Sequence, residues 1–114
     1  MFRTEKIIKA IEEKDFQAFA DITIRDSNQF HAICQDTFPP CVYMNQTSHS
    51  VSSLIHQLNE YFGEMVACYT FDAGPNACIF LLEKVCLPFP SNITLTSLFS
   101  VCRLGGFASA TFLQ

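Results

Sequence analysis

Two apolar runs that flank a short turn constrain the fold of this 114-residue chain most strongly. The runs cover residues 65–71 and 76–82, and the small or rigid residues of 72–75 separate them. β-prone runs on either side of a tight connection are typical of two antiparallel strands. We therefore expect a β-hairpin in this part of the chain.

Two helical patterns lie in the first third of the chain. Residues 4–14 place three isoleucines on one stripe of a helix. Asp15 is a good N-cap for a second helix, because its carboxylate can accept the unpaired amide protons of a first turn. This helix should end before Pro39 and Pro40, which exclude helix and favour an extended segment. The alternating residues 22–24 leave a break within it open.

The third helical pattern is the clearest one. Its apolar residues recur at helical spacing, at Val51, Leu54, Ile55, Leu58 and Phe62. Gly63 follows at the position where a left-handed C-cap belongs. Helices that precede a strand pair predict the α+β class, with the helices packed on one face of an antiparallel sheet.

Composition and charge exclude several classes of protein. A hydrophobic content of 49% argues against a disordered tail, and a net charge of −4 argues against a nucleic-acid partner. The charged start lacks the apolar core of a signal peptide. The uncharged run 85–102 holds prolines and polar residues that a bilayer-spanning helix would bury unsatisfied. We therefore expect a cytoplasmic protein of one domain without a membrane span.

Six cysteines and three histidines bear on redox state and metal binding. The cysteines are residues 34, 41, 68, 78, 86 and 102, and most of them have apolar neighbours. Buried free thiols are the favoured interpretation, and three disulfides in a small secreted protein are the alternative. His31, His49 and His56 stand at no recognised ligand spacing, so we predict no metal site.

Asp72 is the carboxylate whose neighbours suggest a catalytic role. It follows an apolar run and precedes Ala73 and Gly74, whose small size leaves room for a ligand to approach the main chain. A partly desolvated carboxylate at this position could act as a general base. The commoner role of such an aspartate is to start the turn by bonding the backbone two residues on. The spacing alone leaves both roles open.

A polar group on the second predicted helix has the residue types of an acid–base site. It consists of Asp26, Ser27, Asn28 and His31. The spacing spreads these side chains around the helix. We therefore favour a solvated or hydrogen-bonded structural face over a catalytic group.

Three separated stretches resemble one known family. They read RDSNQFHA at 25–32, DTFPP at 36–40 and YTFDAGPNA at 69–77. In this order they resemble the diphosphomevalonate decarboxylase family, a branch of the galactokinase, homoserine kinase, mevalonate kinase and phosphomevalonate kinase (GHMP kinase) superfamily. The resemblance covers about residues 1–83 and implies the ferredoxin-like C-terminal domain of that superfamily.

The resemblance also implies an activity and its residues. Family members convert ATP and mevalonate 5-diphosphate to ADP, phosphate, carbon dioxide and isopentenyl diphosphate in the mevalonate pathway of isoprenoid and sterol synthesis, with Mg²⁺ accompanying ATP. By resemblance, Asp72 is the catalytic aspartate beside the tertiary hydroxyl of the substrate. Ala73 and Gly74 would bind the substrate through their backbone. The resemblance further implies a homodimer.

The chain also departs from the family. The family's N-terminal domain brings a phosphate loop, diphosphate-binding lysines and a catalytic arginine, and none has a counterpart here. We therefore expect this chain alone to bind neither ATP nor Mg²⁺ and to be inactive.

Twelve of the eighteen charged residues lie in the first 40 positions, and the last 30 contain only Arg103. We expect residues 1–84 to be an incomplete C-terminal domain and 85–114 to be a divergent tail unrelated to the family.

Two functions are compatible with these observations. The first is a fragment of a diphosphomevalonate decarboxylase, whose complete form acts on mevalonate 5-diphosphate. The alternative is a non-catalytic short isoform that binds or inhibits the full-length enzyme. Loss of carbon dioxide release when the chain is mixed with the complete enzyme would favour the second.

Overall fold

The structure is a computed structural model that describes residues 2–74, 76–86, 99–104 and 107–112. These residues form an α+β fold, as predicted. The helices of the described part are α1 (Arg3–Glu12), α2 (Phe16–Asp36), α3 (Gln46–Phe62) and the short α4 (Glu83–Cys86). The strands are β1 (Ala67–Phe71), β2 (Ala77–Leu82), β3 (Phe99–Leu104) and β4 (Phe107–Phe112). None of these helices combines the length and the apolar character that crossing a bilayer requires.

The strands form one antiparallel sheet in the order β1-β2-β4-β3. β1 and β2 make the predicted hairpin, with Ala67 opposite Leu81 and Phe71 opposite Ala77. β4 pairs along the other side of β2, with Ala77 opposite Phe112. β1 is consequently an edge strand of this sheet, and no other described strand pairs with the second side of its backbone.

The last two strands lie where the sequence analysis predicted no elements. β3 and β4 pair with each other, and β4 also pairs with β2, so the sheet continues past the hairpin. Serine, alanine and cysteine dilute the β-prone residues in both runs, and neither run marks a strand by itself. What places them in the sheet is pairing with other strands, β4 with β2 and β3 with β4. Residues 87–98, in the predicted tail, lie outside the described residues.

Helix α2 follows the local signals in the sequence. The Asp15 side chain accepts a hydrogen bond from the Ala18 amide over 3.1 Å, which confirms the predicted N-cap. The helix continues without a break through residues 22–24, whose alternating pattern is also compatible with an interruption. There, the Thr23 hydroxyl donates to the Phe19 carbonyl oxygen over 2.7 Å. Its end lies before Pro39, as predicted.

Helix α3 has recognisable caps at both ends. The Asn45 side chain accepts from the Ser48 amide over 2.9 Å, and the Ser48 hydroxyl accepts from the Asn45 amide over 3.3 Å. This capping box starts the helix at Gln46, ahead of the first apolar residue of the stripe. Gly63 has a φ of 69°, which confirms the predicted left-handed C-cap.

The core lies where α2 and α3 pack against the first two strands. Phe19 of α2 meets Phe80 of β2 edge to face, with ring centroids 5.4 Å apart. Helices α2 and α3 both contact β1. The residues of β1 are therefore almost completely buried. The buried core residues are Phe16, Ala20, Ile24, Ile55, Val66, Ala67, Cys68, Tyr69, Phe71, Ala77, Ile79 and Val85.

The cysteines differ in their burial. Cys68 is buried, Cys34 is half-buried and Cys41 is exposed, and all three carry free thiols. The prediction of a buried thiol is confirmed for Cys68. It is wrong for Cys41, which lies in the exposed segment after α2. The side chains of Cys86 and Cys102 lie outside the described residues.

Candidate functional site

Asp72 lies at the carboxyl end of β1, on the turn that leads toward β2. Its side chain is exposed, and within residues 2–74 and 76–86 its carboxylate has no hydrogen-bond or ion-pair partner. The Gly74 amide donates to the main-chain carbonyl oxygen of Asp72 over 2.8 Å. The main chain therefore closes this turn, and the carboxylate does not play the turn-starting role that the sequence left open. It is available to a ligand.

Ala73 and Gly74 continue the chain on the same turn. Ala73 is exposed and Gly74 is half-buried. A Cβ atom built at Gly74 would have no neighbour within 4 Å, and the backbone there lies outside the left-handed region. Neither crowding nor backbone conformation among the described residues requires glycine at this position. The structure thus brings the three predicted site residues together beside open space, while their roles stay predictions.

The residue before Asp72 is held by two side chains of α2. The Ser27 hydroxyl oxygen accepts from the Phe71 amide over 3.1 Å, and His31 Nε2 bonds to the Phe71 carbonyl oxygen over 2.8 Å. Because a carbonyl oxygen only accepts, His31 carries its proton on Nε2 in this contact. Ser27 and His31 are both buried, with exposed fractions of 4% and 6%.

The polar group on α2 is therefore a hydrogen-bonded face for the most part, as favoured from the sequence. Asn28 accepts from the Tyr69 hydroxyl over 3.0 Å, whereas Asp26 is exposed and lies 3.5 Å from Arg3. Ser27 and His31 share one helix face, which the prediction of side chains spread around the helix did not include. Their spacing of four residues was the signal that could have shown it.

Tyr69 connects both long helices to β1. Its hydroxyl donates to Asn28 of α2 and lies 3.1 Å from His56 Nε2 of α3. A hydroxyl has one proton to donate, so it accepts from His56 while donating to Asn28. The Tyr69 side chain thus fixes β1 relative to two helices, two residues before Phe71.

The start of β1 is held in a similar way by amide side chains. Asn59 accepts from the amides of Val66 and Ala67 over 2.8 and 3.0 Å and donates to the Ala67 carbonyl oxygen over 2.9 Å. Gln17 makes paired 2.9 Å bonds to the amide and carbonyl oxygen of Met65. These amides replace the missing neighbour of an edge strand. Sequence reasoning did not identify either residue.

The grouping of charged side chains bears on metal and phosphate binding. Among the described residues, no three His, Cys, Asp or Glu side chains come together in a group that could hold a metal ion. Four basic residues of the described part are engaged in ion pairs, and these are Arg3, Lys9, Arg25 and Lys84. Burial raises the pKa of the Cys68 thiol to about 12, so this thiol stays protonated at neutral pH.

Comparison with known proteins gives a consistent result. Residues 2–101 match the family described as the mevalonate 5-diphosphate decarboxylase C-terminal domain. This range runs past the predicted boundary between a domain at 1–84 and a divergent tail at 85–114, and that boundary stays a prediction. The diphosphomevalonate decarboxylase of Danio rerio is 54% identical over 81 residues, which cover 71% of this chain and 20% of that protein. The enzyme of Rattus norvegicus is 52% identical over 91 residues, covering 80% of this chain and 23% of that protein.

Solved structures agree with these relatives. A mevalonate 5-diphosphate decarboxylase crystal structure has a TM-score of 0.64 and 38% identity, over 97% of this chain and 20% of its own. Mevalonate diphosphate decarboxylase from Trypanosoma brucei has a TM-score of 0.70 and 33% identity, over 72% of this chain and 22% of its own. The chain thus spans about a fifth of the length of these proteins. It belongs to the mevalonate 5-diphosphate decarboxylase C-terminal domain family.

Proposed function

We propose that this chain forms the part of a diphosphomevalonate decarboxylase that supplies the catalytic aspartate, Asp72. The observation that supports this most directly is the exposed, unpartnered Asp72 carboxylate on a turn closed by the main chain. The reaction converts ATP and mevalonate 5-diphosphate to ADP, phosphate, carbon dioxide and isopentenyl diphosphate. A cytoplasmic location and a homodimer belong to the same proposal.

In this proposal the Asp72 carboxylate faces the tertiary hydroxyl of mevalonate 5-diphosphate. It accepts the hydroxyl proton while the oxygen attacks the γ-phosphorus of ATP, and the bond from that phosphorus to ADP breaks. The phosphorylated intermediate then loses its phosphate group. The electron pair of the bond to the carboxylate forms the new double bond as carbon dioxide leaves.

Ala73 and Gly74 have a supporting role in the proposal. The space beside Gly74 lets a substrate lie directly against the main chain, where a side chain would otherwise stand. Contact through the backbone would hold the substrate next to Asp72 without a further charged group. This position explains why a glycine that the local fold does not require is useful there.

In the same proposal, nucleotide binding belongs to the rest of a complete enzyme. Phosphoryl transfer needs groups that hold ATP and neutralise charge at the γ-phosphate. The described residues bring together no group of three potential metal ligands, and Arg3, Lys9, Arg25 and Lys84 are already ion-paired. ATP and Mg²⁺ would therefore be held by the rest of a complete enzyme, with this chain supplying Asp72 and the substrate-contacting turn.

The test is a chimera in which the matching segment of the Danio rerio enzyme is replaced by the residues of this chain. We expect the chimera to release ADP and carbon dioxide, and Asp72→Ala to lower the turnover rate at least about 100-fold. Asp21→Asn is the control, because Asp21 is an exposed acidic residue of α2 on a different element from the turn. A folded chimera without activity, or an Asp72→Ala variant that keeps more than about a tenth of the rate, would refute the proposal.

A further inference from the structure

Phe71 is bonded to α2 through both of its main-chain groups. It is the last residue of β1, an edge strand, and its amide and carbonyl oxygen meet Ser27 and His31. Ser27 and His31 lie one helical turn apart, so a single face of α2 holds both groups. These two contacts act on the residue immediately before the proposed catalytic aspartate.

The contact with His31 restricts Asp72 through covalent geometry. The Phe71 carbonyl group and the Asp72 amide belong to one planar peptide unit. A hydrogen bond that holds the Phe71 carbonyl oxygen therefore also holds the nitrogen of Asp72 in place. The direction of the Asp72 carboxylate then depends on rotations within Asp72 itself, starting from a fixed nitrogen.

The His31 ring is itself fixed by its surroundings. Its centroid lies 6.3 Å from the ring of Phe71, 6.5 Å from Tyr43 and 5.0 Å from Phe30, all in edge-to-face arrangements. The imidazole is buried, and its Nε2 proton is directed at the Phe71 carbonyl oxygen. Its role is thus to position the main chain, since the proton at Nε2 is held in this contact and is not directed at a substrate.

We propose that Ser27 and His31 are positioning residues that hold the Phe71 peptide and thereby aim the Asp72 carboxylate at the substrate. This inference rests on the proposed function of Asp72. Asn59 makes similar contacts with Ala67 at the opposite end of β1, and we expect these to stabilise the fold without positioning Asp72. Asn59 is also buried, at 8%, so it provides a matched structural control.

The experiment compares three variants of the chimera. Ser27→Ala and His31→Leu remove the contacts at Phe71, and Asn59→Leu removes those at Ala67. We expect the first two to lower kcat about 10- to 100-fold with KM changed less than about twofold, because a small misplacement of a catalytic group is costly. Asn59→Leu should lower the Tm by a comparable amount and leave kcat within about twofold of the parent. Equal loss of kcat in all three variants would overturn the proposal.

Conservative variants and double variants separate positioning from folding. Ser27→Thr keeps the hydroxyl and His31→Gln keeps an N–H donor at about the same reach, so both should restore most of kcat. In an Asp72→Ala background, Ser27→Ala and His31→Leu should cause no further loss of the residual rate, since they act through Asp72. Further loss in that background would contradict the proposal.

A structural measurement distinguishes failure of this inference from failure of the proposed function. Crystal structures of the folded chimera and its His31→Leu and Asn59→Leu variants report where the Asp72 carboxylate lies. We expect displacement or disorder of Asp72 only in the His31→Leu variant. An inactive chimera with this displacement would refute the function and keep the positioning role. An unchanged Asp72 in both variants would refute the positioning role whatever the activity.

Discussion

The side chain of Asn59 bonds to both main-chain groups of Ala67, accepting from its amide over 3.0 Å and donating to its carbonyl oxygen over 2.9 Å. A primary amide presents an acceptor and a donor side by side, as a neighbouring strand would. Asn59 thus closes the outer edge of β1 at its start. Ser27 and His31 close the same edge at its end.

Removing the Asn59 amide is predicted to destabilise the fold strongly. Asn59→Leu leaves the amides of Val66 and Ala67 and the Ala67 carbonyl oxygen without their partner in a buried place. We expect a loss of about 3 kcal/mol in the free energy of unfolding, because each buried unsatisfied group costs about 1–3 kcal/mol. Urea unfolding measures it, with Gln57→Leu on an exposed position of α3 as the control. A loss no larger than that of the control would show that the edge contacts are dispensable.

Gly63 and Gly74 are predicted to respond in opposite ways to substitution by alanine. Gly63 has a φ of 69°, so Gly63→Ala should lower stability by about 1 kcal/mol and leave activity of the chimera intact. Gly74 has open space and no left-handed backbone, so Gly74→Ala should melt like the parent. Its added Cβ should instead raise KM for mevalonate 5-diphosphate. Paired thermal melts and steady-state kinetics decide this, and an unchanged KM in Gly74→Ala would contradict the proposed backbone contact.

Stability is predicted to fall in alkaline solution because of Cys68. Its pKa is raised from 9.0 to about 12 by burial, so above pH 9 the unfolded chain loses a proton that the folded chain keeps. The unfolded state is then favoured, and stability that is complete below pH 9 decreases as the pH rises toward 12. The expected loss at pH 10 is about 1 kcal/mol. The free energy of unfolding is measured across this pH range for the parent and for Cys68→Ala, and their difference isolates the contribution of Cys68 from other alkaline titrations. A difference that does not change with pH would disprove the prediction.

The 114-residue chain alone is predicted to have no decarboxylase activity. ATP and mevalonate 5-diphosphate incubated with it should yield no ADP above a blank, because phosphoryl transfer needs groups that hold ATP, and the family's phosphate loop and diphosphate-binding lysines have no counterpart in this sequence. Adding increasing amounts of the chain to the complete Rattus norvegicus enzyme should leave carbon dioxide release unchanged. A decrease that depends on dose would instead favour the alternative of a non-catalytic inhibitor, with the heat-denatured chain as the control.

Local sequence signals predicted the elements that depend on neighbouring residues. Asp15 caps α2 through a residue three positions away, and Gly63 ends α3 by its own backbone conformation. The hairpin around Asp72 was likewise apparent, because both strands and their turn are adjacent in the chain. Each of these signals is contained within a few residues, so it can be read without knowledge of the fold.

The sequence by itself thus determined the α+β class, the caps at Asp15 and Gly63, the hairpin and the turn that carries Asp72. Only the tertiary structure decided that Ser27 meets Phe71, that Asn59 meets Ala67 and that β4 extends the sheet beyond β2. A polar side chain on a helix has the same local pattern whether it faces water or the edge of a strand. The burial of an edge strand made these contacts necessary, because its backbone groups, once removed from water, need partners that distant parts of the chain supply.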